Sequence, residues 1–323
     1  MQPPQIQRQT SNARLRQFVA FCILHSAFCI HSSRAASTSV IPIADTTLSE
    51  NWPSNNLGGL TFVNSGTTQN FTKNRGLYKF DVAAAIPAHS RINSARLVVE
   101  VTKQPADDQH SSDFGLHRML QPWGEGNKIS PTNSVNQGQG SPATDGEATW
   151  YYRFAFTNSW AAPGAAPTND YVAAASAAQT VYGLIDSPYT WGSTAQMIAD
   201  VQFWLDNPSA NFGWALVCQA EATDFTARRF ASREDTNYPP SLNIDFIPPP
   251  QILSVWLQSN QFTLVFAGEG GQSYFAEYRD SLLTNSNWNL LTNIGSLSTT
   301  TNVVVTDSLP LSNPNRFYRV GLQ

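Results

Sequence analysis

Three cations and three aromatic rings are the residues in this chain best suited to holding a ligand. Arg75 and Lys79 lie in Arg75-Gly-Leu-Tyr-Lys-Phe-Asp-Val82, where apolar and polar residues alternate. A period of two marks a strand. Arg75 and Lys79 then share one face, about 13 Å apart at the usual rise per strand residue. Ile92 to Val101 alternates in the same way and adds Arg96. Only Ile86 to Ser90 separates the two runs, so they read as neighbours in one antiparallel sheet. Such a row of positive charge is what a chain of repeating carboxylates needs. A competing reading pairs Arg75 and Lys79 internally with Asp81 and Glu100. Aromatic side chains suit sugars, because their faces stack on apolar C–H surfaces. Trp123, between Pro122 and Gly124, reads as an exposed loop ring, and Tyr151 and Trp191 lie in the same aromatic-rich middle third. Trp150 and Trp160 fit a core better.

Catalysis has little support. The chain has no His-Glu-x-x-His, no Gly-x-Ser-x-Gly, no Gly-rich phosphate loop and no Cys–His metal spacing. His89, His110 and His117 are scattered. Glu125, Glu147, Glu221, Glu234 and Asp235 could supply a glycosidase pair on paper, but spacing brings no two of them together. Glu234 sits beside Arg228, Arg229 and Arg233, which points to a structural Arg–Glu pair.

Residues 1–36 read as a secretory signal peptide. Arg8, Arg14 and Arg16 form a basic start, Phe18 to Ile30 a short apolar run, and Ser33 to Ala36 a small-residue cleavage site. Removing it leaves 15 basic against 23 acidic residues, a net of −8, which disfavours nucleic acid as a partner. It also leaves Cys218 as the only cysteine, in an apolar run that suits a buried thiol. Charged residues make up only 13%, while the 19 glycines and 20 prolines supply many turns. That composition fits an extracellular all-β protein.

In chain order, Ser39 to Asp45 reads as a first edge strand that tolerates Pro42. Asp113 to Leu120 is another strand, and the polar loop from Gly126 to Gly146 reads as mobile. Ser193 to Asp206 is the one clear helix, capped by Ser193 or Thr194, with Met197, Ile198, Val201 and Leu205 as its stripe. Pro248 to Pro250 is a stiff linker. Beyond it, five short strands are expected between Ile252 and Val320.

Three blocks resemble the DNRLRE domain family of secreted and surface proteins. The first is Arg75 to Val101, with Asp45, Asn55, Asn56 and Gly58 ahead of it. The second runs Trp123-x-Glu125, Thr149-Trp150, then Trp160-x-x-Pro163-Gly164. The third is Phe230-x-Ser232-Arg233-Glu234, then Pro240-x-Leu242-x-Ile244. Lys79 stands where the family usually has Arg, and Lys lacks the planar fork that clamps a carboxylate. The C-terminal part, with Phe262-Thr-Leu-Val-Phe-Ala-Gly268-x-x-Gly271-x-Ser273-Tyr274 and Arg316-Phe-Tyr-Arg-Val320, resembles small immunoglobulin- or fibronectin-like modules. Members of the first family occur in disaggregatase-related and alginate-binding modules. The resemblance therefore implies a jelly-roll-like β-sandwich at 40–247, a linker at 248–250 and a smaller immunoglobulin-like sandwich at 251–323.

The expectation is a secreted or cell-surface, monomeric, non-catalytic module. It would bind an acidic, uronate-rich polysaccharide through Arg75, Lys79, Arg96, Trp123, Tyr151 and Trp191, with no membrane span after leader removal. A ligand-free surface spacer is the main alternative, and a polysaccharide-degrading enzyme the lesser one. A structural calcium is expected where first and last strands meet, on the hard oxygen ligands of Asp45 and Asp245.

Overall fold

The computed structural model describes residues 35–106, 109–131, 138–258, 260–283, 286–308 and 316–323. The expected leader lies outside these residues except for its last two, and Ala36 already begins a strand. Strands dominate, and every pairing between named strands is antiparallel, so the fold is all-β.

Two sheets build the larger part. The four-stranded sheet runs Ala36–Val40, Ser241–Ile247, Arg91–Val99, Tyr189–Gly192. The larger sheet runs Ala177–Val181, Ser112–Arg118, Trp214–Cys218, Lys73–Phe80, Phe62–Thr67, Arg228–Ala231, Val101–Lys103, with Pro42–Ser49 also paired to Lys73–Phe80. Tyr78, Phe80, Leu97, Val99, Trp191 and Trp214 belong to the core that both sheets share.

The two alternating runs therefore lie in different sheets, not side by side in one. The cause is local. Val82–Ala85 forms one turn of helix, α1, whose N-terminus is capped by the Asp81 carboxylate accepting from Ala84 N at 3.1 Å. This turn carries the chain across the core before Arg91. The first strand also departs from expectation. Ala36–Val40 pairs with Ser241–Ile247, whereas Pro42–Ser49 pairs with Lys73–Phe80, so the chain changes sheets at Ile41. Pro42 is tolerated as the first residue of its strand, where its missing N–H costs least.

Lys73–Phe80 is covered on both faces. Tyr78 and Phe80 enter the shared core, while Leu77 packs with Leu48, Trp150, Trp160, Ala165 and Tyr171 in a second cluster. The covering layer comes from residues 119–171. It is held down by Asn56, a fully buried amide that donates to the carbonyls of Glu125 (2.6 Å) and Ala148 (3.0 Å) and accepts from Gly58 N and Lys128 N. Much of the expected mobile loop is thus anchored, and Ser141–Pro142 pairs with Asn55–Asn56. Residues 132–137 of that loop lie outside those described.

Helix α2 spans Ala195–Asp206, with Thr194 Oγ1 accepting from Met197 N at 3.1 Å as the cap. Its buried stripe is Met197, Asp200, Val201, Trp204 and Leu205. A carboxylate thus stands inside the apolar face, and Ile198 is only partly buried. From Ile252 on, the sheets Ile252–Gln258/Gln261–Gly268/Thr301–Ser308 and Asn289–Ile294/Tyr274–Arg279/Phe317–Leu322 share a separate core of Leu264, Phe266, Tyr274, Ala276 and Val305. Asn289–Ile294 is a strand that alternation does not announce, because it is a largely exposed edge. No helix among the described residues is long and apolar enough to cross a membrane.

Candidate functional site

The expected cation row does not form. Arg75 lies beneath the covering layer. Its guanidinium donates to both Glu221 carboxylate oxygens at 2.6 Å and to the carbonyls of Gly164 and Ala165, and it sits 5.8 Å from the Trp150 ring centre. Its partner is therefore Glu221, neither Asp81 nor Glu100. Lys79 is half-buried on the same strand. Arg96 is exposed on the other sheet, 3.8 Å from Asp245. The rings part company too. Trp191 is fully buried and donates to Phe114 O at 2.7 Å, so it belongs to the core. Trp123 is half-buried, with its indole N–H on Phe212 O. Tyr151 alone of the three is exposed.

A different row of cations does form. Strand Arg228–Ala231 lies between Phe62–Thr67 and Val101–Lys103, and its register sets Arg229 against Asn64 on one side and Lys103 on the other. Asn64, Arg229 and Lys103 thus stand abreast on one face of the sheet. The Arg229 guanidinium lies 3.9 Å over the Phe62 ring centre. Like charges directly opposite each other across strands disfavour the fold, and the Phe62 ring under the guanidinium offsets part of that cost. Lys103 is exposed and makes no ion pair among the described residues.

These residues line a groove of about 460 Å³, together with the amides of Asn51, Gln69, Asn70 and Gln104. Amides donate and accept at once, as a sugar hydroxyl does. One end of the groove is the turn joining Phe62–Thr67 to Lys73–Phe80. It is closed by Thr68 N donating to Thr72 O at 2.9 Å and by contact of the two threonine hydroxyls. The wall behind is stiffened by Arg228. Its side chain takes the opposite face, is buried, and donates to the carbonyls of His110, Tyr182, Phe225 and Ala227. The adjacent arginines thus do different work, one bracing the wall and one facing the groove. The alternation of a strand at residues 228–231 is the signal that separates them.

Acidic residues gather elsewhere. Oxygens of Asp45, Glu125 and Glu234 lie within 4.8 Å of one another. Asp245 is not among them. The change of sheet at Ile41 puts Asp45 in the larger sheet, while Asp245 stays on the smaller one, accepting from Ser37 and Ser94 hydroxyls. Asp45 is 1% exposed and accepts from Arg233 N at 2.8 Å, while its own N–H donates to Glu125. Arg233 bonds Glu125 through two nitrogens and reaches Glu234 at 3.0 Å, which is the Arg–Glu pairing that the sequence suggested. Burial, and then the charge of Glu234, push the Asp45 carboxyl well above the usual carboxylate range. Three carboxylates outnumber one guanidinium, which favours a proton or a hard cation there. The other acids suggested as a glycosidase pair are also engaged: Glu147 with Lys128 at 3.4 Å, Glu221 with Arg75, and Asp235 with the backbone N–H groups of Asn237 and Tyr238.

No protein-family model matches the chain, and no curated protein matches it.

Proposed function

We propose that this protein is an exported, non-catalytic module that binds an acidic polysaccharide, and that it does so in the groove of Asn64, Arg229 and Lys103. The observation that carries this reading is the cross-strand row itself, two cations abreast in a wall of amides. The carboxylates of a uronate chain would meet the guanidinium and the ammonium, and its hydroxyls the amides. The likeness of three sequence blocks to DNRLRE modules supports the same substrate class. Each exposed ion pair contributes only about 0.2–1 kcal/mol, so binding rests on several together and weakens as salt rises. In native gels at low salt, the mature protein should be retarded by alginate and not by dextran, and the retardation should fade with added salt. Equal mobility in both gels removes the polysaccharide reading and leaves a surface spacer.

We propose Asp45, Glu125 and Glu234 as the ligands of a structural calcium in this module. Saturating calcium at about 100 times its Kd should stabilise the wild type by about 2.7 kcal/mol and leave Asp45→Asn unmoved. Equal melting temperatures in calcium and in chelator would assign the cluster's excess charge to a proton on Asp45. The sign of the resulting pH dependence then follows. A native carboxyl that holds its proton more tightly than the unfolded chain adds stability at acid pH. That contribution is lost as pH rises from the ordinary Asp value of 3.8 through the raised one. Thermal melts of Asp45→Asn should lack this fall.

A further inference from the structure

A cavity of about 690 Å³ lies away from the groove. One wall is the turn before strand Arg91–Val99 and the C-terminal end of α2, with His89, Arg91 and Asp206. The other is strand Phe317–Leu322 with Phe275 and Trp288.

The second wall is built to hold its shape. Trp288 is clamped between guanidinium groups, Arg279 at 4.6 Å from its ring centre and Arg319 at 4.5 Å. Arg319 is in turn fixed by Glu277 at 2.6 Å. Gly321 admits the Phe275 ring, which a Cβ there would meet at 2.3 Å. The first wall is not closed in this way. Arg91 is half-buried, yet its side chain makes no hydrogen bond or ion pair among the described residues. His89 likewise has no side-chain partner there, and its backbone is held at φ +65°, which costs a non-glycine residue energy. Of the acids close by, Glu277 binds Arg319, while Asp206 accepts only from the Gln202 amide at 3.2 Å and forms no ion pair with Arg91. Arg91 thus keeps its donors uncommitted at the cavity wall, where an entering carboxylate would meet them.

We infer that this cavity is a second binding site, separate from the groove, for a small carboxylate-bearing saccharide of two to three residues. Arg91 supplies the anion contact, and the wall of Arg319 and Trp288 faces it across the cavity. The volume fits such a ligand and falls within the usual range for small-molecule sites. The exposed His89 imidazole and the Gln323 amide, whose nitrogen donates to Asn293, line the same space and offer polar contacts to hydroxyls. A site walled by both parts of the chain also couples ligand binding to their apposition.

The test is calorimetry of the full mature protein with a uronate trisaccharide, with a neutral trisaccharide as control. The wild type should show two sites and no binding of the control. Arg91→Ala should lose one site, its affinity falling by at least about tenfold, while the other keeps its affinity. Arg91→Lys should restore part of the loss, and an unchanged melting temperature should show that Arg91→Ala folds. Lys103→Glu should weaken the groove site by at least about tenfold and leave the cavity site unchanged. Wild-type stoichiometry and affinity in Arg91→Ala would overturn the inference without touching the groove. Loss of only the cavity site in Arg91→Ala, with Lys103→Glu binding as wild type, would overturn the groove reading instead.

Discussion

Asp200→Ala should destabilise the protein by about 3–5 kcal/mol, the usual cost of removing one partner from a buried ion pair. Asp200 is 1% exposed, on the apolar face of α2. One carboxylate oxygen accepts from the Trp214 indole at 3.0 Å and from the Ser176 hydroxyl, and the other meets Arg118 at 3.1 Å and Gln196 at 3.0 Å. The side chain thus ties the helix to strands Trp214–Cys218 and Ser112–Arg118. Alanine leaves an indole N–H, a hydroxyl and a guanidinium without an acceptor. Asp200→Asn keeps the shape but not the charge and should cost less. Urea denaturation of the three proteins measures the order, and a loss below about 1 kcal/mol in Asp200→Ala would mean that the network contributes little.

The second large effect is at Trp191. Its ring is fully buried, packs edge-on to Phe230 with centroids 6.0 Å apart, and donates to Phe114 O. Trp191→Ala should cost about 3–5 kcal/mol, the range for truncating a large core aromatic. The melt should fall steeply, while protein that is still folded at low temperature should be retarded by alginate as strongly as the wild type. Retained stability with lost binding would restore Trp191 to the ligand site and contradict its place in the core.

These two residues show where sequence reasoning reached and where it stopped. The α2 cap and most of its apolar stripe could be read from the chain, because both depend on residues within a few turns of each other. Asp200 could not, since its partners come from strands far along the sequence, and a lone acid in a helix ordinarily faces water. Alternation identified Lys73–Phe80 and Arg91–Val99 as strands, but which sheet each one joins depends on α1, a single turn set by Asp81. Arg75 read as a surface cation because a strand with one polar face is normally open to solvent on that side. Here residues from the covering layer close over it. The groove was hidden for a related reason. Asn64, Lys103 and Arg229 become neighbours only through the register of three strands.

The central claim is that the cross-strand row of Asn64, Arg229 and Lys103 holds an acidic polysaccharide. It is tested most directly by comparing Lys103→Glu with Arg96→Glu in alginate affinity electrophoresis at low salt. Both side chains are exposed, so both variants should fold, and both change the net charge by the same amount. Lys103→Glu should weaken binding by at least about tenfold, while Arg96→Glu should bind as the wild type does. Wild-type retardation of Lys103→Glu, or an equal loss in both variants, would contradict that claim.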